Sequence, residues 1–167
     1  ALHLDGLEWM RGKYRPAVQR YLKWAERTAA HAADLLIADH PEMARYAARY
    51  PKPCAEIAYG VDDPKPALEL DPSLGLKPGE YALVIARLVP ENHVRVAAEA
   101  LSPHVPMVVV GPFDNPEGRA LQKLPNVRLL GGQFEATLLD SLRAHCGLYL
   151  HGHSAGGTNP GLLQAMA

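Results

Sequence analysis

Cysteine, phenylalanine and tryptophan each occur only twice in 167 residues, and no charge of one sign dominates. Each scarcity excludes something. Cys54 and Cys146, far apart in the chain, cannot supply the dense cross-links of a small secreted scaffold. Each opens an apolar strand-like run, so both are expected as buried free thiols. Lys and Arg number 17 against 18 Asp and Glu, a formal net charge of −1. With no basic stripe, that balance argues against nucleic acid as the main partner. No apolar run reaches membrane-spanning length and no signal-peptide pattern stands at the start, so the expected compartment is the cytoplasm. Also missing are a Gly-x-x-x-x-Gly-Lys phosphate loop and a Gly-x-Gly-x-x-Gly after a strand, which weakens a nicotinamide-dehydrogenase reading. No Ser-His-Asp set argues for a hydrolase.

What is there is an ordinary globular composition, 48% hydrophobic and 21% charged. The length suits one full core, or one domain plus part of another. The chain starts at Ala1 and stops at Ala167 inside a helical pattern with no terminating Gly, Asn or Pro. It is therefore expected to be a piece of a larger protein.

Val18, Tyr21, Leu22, Ala25, Ala29 and Ala32 recur at helical spacing from about Pro16 to Ala33. A strand-like run Leu35–Ala38 follows, then a helix from Pro41 to Ala48 that Pro51 and Pro53 break, and a strand Ala55–Tyr59. Residues 61–80, rich in Pro, Gly, Asp and Lys, read as a linker between two lobes. After it, strands at Tyr81–Ala86, Pro106–Val110, Asn126–Leu130 and Gly147–Leu150 alternate with helices at Val94–Leu101, Glu117–Leu124, Glu135–Ala144 and from Gly161 onward. That alternation predicts a parallel sheet with right-handed crossovers. Gly111, Gly131 and Gly152 closely follow three of the strands. In open α/β sheets ligands bind at the carboxyl ends of strands, so the three glycines are expected on one rim.

The last strand enters a turn, His151-Gly-His-Ser-Ala-Gly-Gly-Thr-Asn-Pro160, that ends in an N-cap Asn159 and a first-turn Pro160. A strand, a glycine turn and a helix start offer free backbone N–H groups and a positive dipole end to a phosphate. The arrangement points to a nucleotide or nucleotide-sugar site.

Three segments together carry a resemblance: Ile85-Ala-Arg-Leu-Val-Pro-Glu-Asn92, Val108-Val-Val-Gly111 and His151 to Ala167. Gly6–Lys13, Ala33–Asp39 and Ala58–Asp62 fit as well. The chain resembles the retaining glycosyltransferases of family 4, of GT-B fold, and most of all their bacterial rhamnosyltransferase-like branch, which builds cell-surface glycans. The resemblance implies an α/β fold with Rossmann-like parallel sheets. Residues 1–60 would be the end of the acceptor lobe, 61–80 the interlobe linker, and 81–167 an incomplete nucleotide-sugar donor lobe.

The resemblance also implies the site. Arg87 would contact the donor pyrophosphate and act as the catalytic cation, since a guanidinium suits bidentate phosphate contacts; the alternative is a surface arginine. Asn92 stands where many relatives carry a second cation, a Lys. Of the paired glutamates of the wider family, the first falls on Gly156, as this branch expects. The second, which receives the ribose hydroxyls, falls on Gln164, a neutral and weaker acceptor. Gly157, Thr158 and Asn159 would offer backbone N–H groups to the distal phosphate and sugar. Gly111 and Gly131-Gly132 either line the nucleotide cleft or form plain turns. Glu91 is either a donor contact or the start of the next helix. His153 or His151 would bond a phosphate or the donor sugar, the other satisfying a backbone group; with His145 their spacing matches no standard metal motif, and no metal or other cofactor is expected. Asp5, Glu8, Arg11 and Lys13 either face the cleft or form a solvated charged loop. Asp39 and Asp62 follow strands, where helix capping suffices to explain them.

The expected activity is transfer of a sugar, rhamnose among the candidates, from a nucleoside-diphosphate donor to a glycan or lipid-linked glycan acceptor, with retention and without nucleic acid. Peripheral association with the inner membrane face fits such an acceptor. The rival reading is a non-catalytic nucleotide-sugar binding module or degenerate subunit, with a sugar-nucleotide epimerase as a third.

Overall fold

A computed structural model describes residues 1–4, 6–61, 69–132, 135–154 and 157–167. Within it the chain forms two compact α/β units. The first comprises Ala1–Val61 with Ser154–Leu163, the second Asp62–His153 with Gln164–Ala167.

The first unit holds a parallel three-stranded sheet in the order β1-β2-β3, from β1 (Leu2–Leu4), β2 (Leu36–Ala38) and β3 (Cys54–Glu56). Helix α1 (Pro16–Ala32) links β1 to β2, and α2 (Pro41–Ala47) links β2 to β3. Both helices start on a proline, whose fixed φ suits the first turn. Leu4, Ala30, Leu36, Ala38, Met43, Ala47 and Tyr50 form its core. Only part of the expected apolar stripe of α1 packs inward: Val18 and Tyr21 are exposed, and the half-buried Glu26 faces the core side instead. Its carboxylate receives Trp9 Nε1–H at 3.0 Å, Tyr50 O–H at 2.8 Å and the Tyr46 hydroxyl. Burial, together with the carboxylate beside them, raises the pKa of both tyrosines and keeps them as donors.

The expectation of two buried thiols needs correcting. Cys54 is exposed and Cys146 half-buried. Among the described residues β3 pairs only with β2, and its first and last residues, Cys54 and Glu56, are exposed.

The second unit holds a four-stranded parallel sheet of β4 (Ala82–Ile85), β5 (Met107–Val110), β6 (Val127–Leu129) and β7 (Leu148–Tyr149) in the order β6-β5-β4-β7. Its helices are α3 (Val94–Leu101), α4 (Pro116–Leu121) and α5 (Ala136–His145). The fully buried run Met-Val-Val-Val of β5 is what a strand covered on both faces requires. Alternate residues divide between two cores. Ala82, Val84, Met107 and Val109 pack with Val94 and Ala98 of α3 and Leu121 of α4. Tyr81, Leu83, Val108 and Val110 pack with Leu142 of α5. The buried Tyr81 hydroxyl donates to Leu142 O at 2.7 Å, and burial pushes its pKa up to about 12. Residues 69–80, within the stretch read as linker, join this unit. Leu70, Leu74 and Leu76 pack on the second core, and Ser141 Oγ–H donates to Glu69 O at 3.0 Å. The last helix, α6 (Pro160–Met166), follows the glycine turn.

Candidate functional site at the strand-order reversal

The β4-to-β6 progression runs to one side of β4, and β7 returns to the other. Such a reversal opens a crevice at the carboxyl ends of the two strands, where open α/β sheets bind ligands. Here those ends are β4, leading to Arg87, and β7, leading to His151–His153. Arg87 is exposed, and its guanidinium makes no ion pair among the described residues. Its backbone is held. The Arg87 carbonyl accepts Val89 N–H at 3.0 Å and Asn92 Nδ2–H at 2.8 Å. Loop and strand end are joined by Asn92, whose Oδ1 lies 2.8 Å from His153 Nδ1. Gly152 fits against the same loop: a Cβ there would lie 2.5 Å from Asn92 O. Asn92 thus has both ends of its amide engaged within the protein. Glu91 is 6% exposed inside the 3-10 turn Pro90–Asn92.

Gly111 and Gly131 extend this rim. Gly111 N–H donates to Gly131 O at 2.7 Å, and a Cβ on Gly111 would fall 2.0 Å from Ala86 O. Only glycine permits that approach beside the end of β4. Gly131 adopts φ 73°, and Gly132 after it is exposed. The rings of His151 and His153 lie 5.9 Å apart, and desolvation lowers the pKa of His151.

Gly157, Thr158 and Asn159 belong to the first unit, His151 and His153 to the second. Gly156 lies outside the described residues, as do Asp5 and Asp62. Asn159 caps α6, its Oδ1 accepting Gly161 N–H at 2.9 Å and Leu162 N–H at 3.3 Å. The Thr158 amide donates at 2.7 Å to Asp39 Oδ2, and Thr158 Oγ1–H to Asp39 O at 3.3 Å. Capping therefore does not account for Asp39: His40 Nδ1 caps α2 by accepting Glu42 N–H at 3.1 Å. The sequence carried one signal for Asp39, a carboxylate directly after a buried apolar run. Gln164 is exposed on α6. Glu8 accepts from Tyr14 O–H at 3.3 Å and pairs with Arg11 at 2.7 Å and Lys13 at 3.8 Å, a charged loop tied to itself.

A hollow of about 250 Å³ is lined by Leu88, Val89, Pro90, His93, Val94 and Glu117 among others, and by none of the expected donor residues. Among the described residues no group of three His, Cys, Asp or Glu is placed to hold a metal, and no helix is long and apolar enough to cross a membrane.

Two parallel α/β units, one carrying a glycine rim at a strand-order reversal, are compatible with a glycosyltransferase-like architecture. Residues 2–62 match the family model described as "Domain of unknown function (DUF1972)", a domain associated with glycosyltransferase N-terminal regions. No curated protein matches the chain.

Proposed function

We propose that this chain carries a nucleoside-diphosphate-sugar site of a retaining GT-B glycosyltransferase. Residues 1–60 would serve the acceptor lobe and 81–167 the donor lobe. The observation that carries this reading is Arg87, an exposed guanidinium without an ion pair among the described residues, at the carboxyl end of the strand where the sheet order reverses.

As the glycosidic bond to the donor breaks, negative charge builds on the departing diphosphate. A preorganised cation stabilises that charge most, because it does not have to reorient. The Asn92 amide fixes the backbone from which the Arg87 side chain extends, so the cation starts from a set position at the strand end. Asn92 adds no charge, so Arg87 acts as the cation of its loop. Gly111 and Gly132 would line the nucleotide cleft, His153 and Glu91 would border the donor, and Gly157, Thr158 and Asn159 would contribute backbone N–H groups. Gln164 would receive the ribose. A 6-deoxyhexose such as rhamnose is the candidate sugar, and a glycan or lipid-linked glycan the acceptor. Closure over the donor would exclude water.

Amide NMR of the chain titrated with UDP, dTDP and GDP tests the placement. One nucleotide should perturb Arg87, Gly111, Gly132 and His153. Perturbation confined to Leu88–Val94 and Glu117, around the apolar hollow, would contradict it.

A further inference from the structure

Asp39 is the most buried acidic side chain described, at 1% exposure. A buried carboxylate is costly unless its oxygens are satisfied. Its Oδ2 accepts the Thr158 amide, while the buried Oδ1 has no hydrogen-bond partner among the described residues. The turn is shaped around it. A Cβ on Gly157 would lie 2.4 Å from each of the two carboxylate oxygens, so any larger residue would require the Asp39 side chain to shift. The Thr158 hydroxyl fixes the same junction by donating to the Asp39 carbonyl. This group plays no part in capping α2, where His40 does that work.

The donor-site reading, on which the next step rests, assigns the Thr158 amide to a phosphate oxygen. One N–H cannot serve two anions fully. A carboxylate and a phosphate held side by side away from water also repel strongly. We propose that Asp39 is an internal stand-in for the donor phosphate: it holds the Gly157–Thr158 turn when no donor is present, and donor binding displaces it. The turn is thereby kept in shape between turnovers, at a cost in donor affinity, because only the displaced fraction of molecules is competent to bind. Asp39 is thus a positioning residue for the donor-free state and a competitor for the bound one.

The test is calorimetric titration of the wild-type chain, Asp39→Asn and Asp39→Ala with UDP, dTDP and GDP, with the Thr158 amide resonance followed by NMR. The Asn variant keeps the shape and an acceptor oxygen but loses the charge. It should bind the preferred nucleotide about tenfold more tightly, the scale of losing a charge-assisted competitor. In the wild type, the nucleotide should move the Thr158 amide away from its donor-free position, and Asp39→Asn should shift that starting position. Unchanged or weaker binding by Asp39→Asn, with binding by the wild type intact, would overturn the proposal and leave the donor site standing. Failure of every chain to bind any nucleotide would overturn both together.

Discussion

Individual side chains divide into those the sequence announces and those only folding reveals. The place of Arg87 is legible because an arginine directly after an apolar run, in a parallel α/β pattern, stands at the carboxyl end of its strand. The Asp39–Thr158 contact is not, because its partners are 119 residues apart and nothing local marks the pairing. Cys54 departs from its apolar context for a related reason: Cys54 and Glu56 share a face of β3 that stays exposed, which the local sequence does not mark. Gly111 is legible only as a turn residue. The structure shows a stricter need, since an added methyl would meet the Ala86 carbonyl, backbone that cannot swing aside. Gly111→Ala should therefore destabilise the chain by about 1–3 kcal/mol, the usual range for forced overpacking. Urea unfolding checks this, and an unchanged midpoint would mean that β4 and β5 yield more readily than their burial implies.

At the level of elements, periodicity locates helices and strands better than it chooses their faces. Helix α3 occupies the expected Val94–Leu101, and α1 ends within a residue of its expected boundary. Yet α1 turns Tyr21 and Trp24 outward, 62% and 61% exposed, and draws Glu26 in. The reason is local chemistry: Trp9, Tyr46 and Tyr50 bring three donors to one carboxylate, and their hydrogen bonds offset the cost of half-burying it. Removing the carboxylate by Glu26→Ala should leave those donors without their acceptor and cost about 2 kcal/mol or more, read as a lower melting temperature. A neutral outcome would show that water replaces the carboxylate at no cost. Strand β1 went unread because Leu2-His3-Leu4 is too short to show a period, and its pairing with β2 is what defines it.

For the molecule as a whole, the alternation of apolar runs and helical segments was enough to read parallel α/β architecture. It was not enough to order the strands, since lateral order depends on which side each crossover takes. The β6-β5-β4-β7 order is the decisive addition, because it places the reversal of strand order between β4, which leads to Arg87, and β7, which leads to His153. The central claim is that the crevice at this reversal receives a nucleoside diphosphate through Arg87. Arg87 is exposed, so its removal should barely change stability, within about 0.5 kcal/mol. The most direct measurement is calorimetric titration of the chain and of Arg87→Ala with UDP, dTDP and GDP. The account predicts binding of one nucleotide by the wild type, weakened about tenfold or more in an equally stable Arg87→Ala chain. Equal binding by both chains, or none by the wild type, would contradict it.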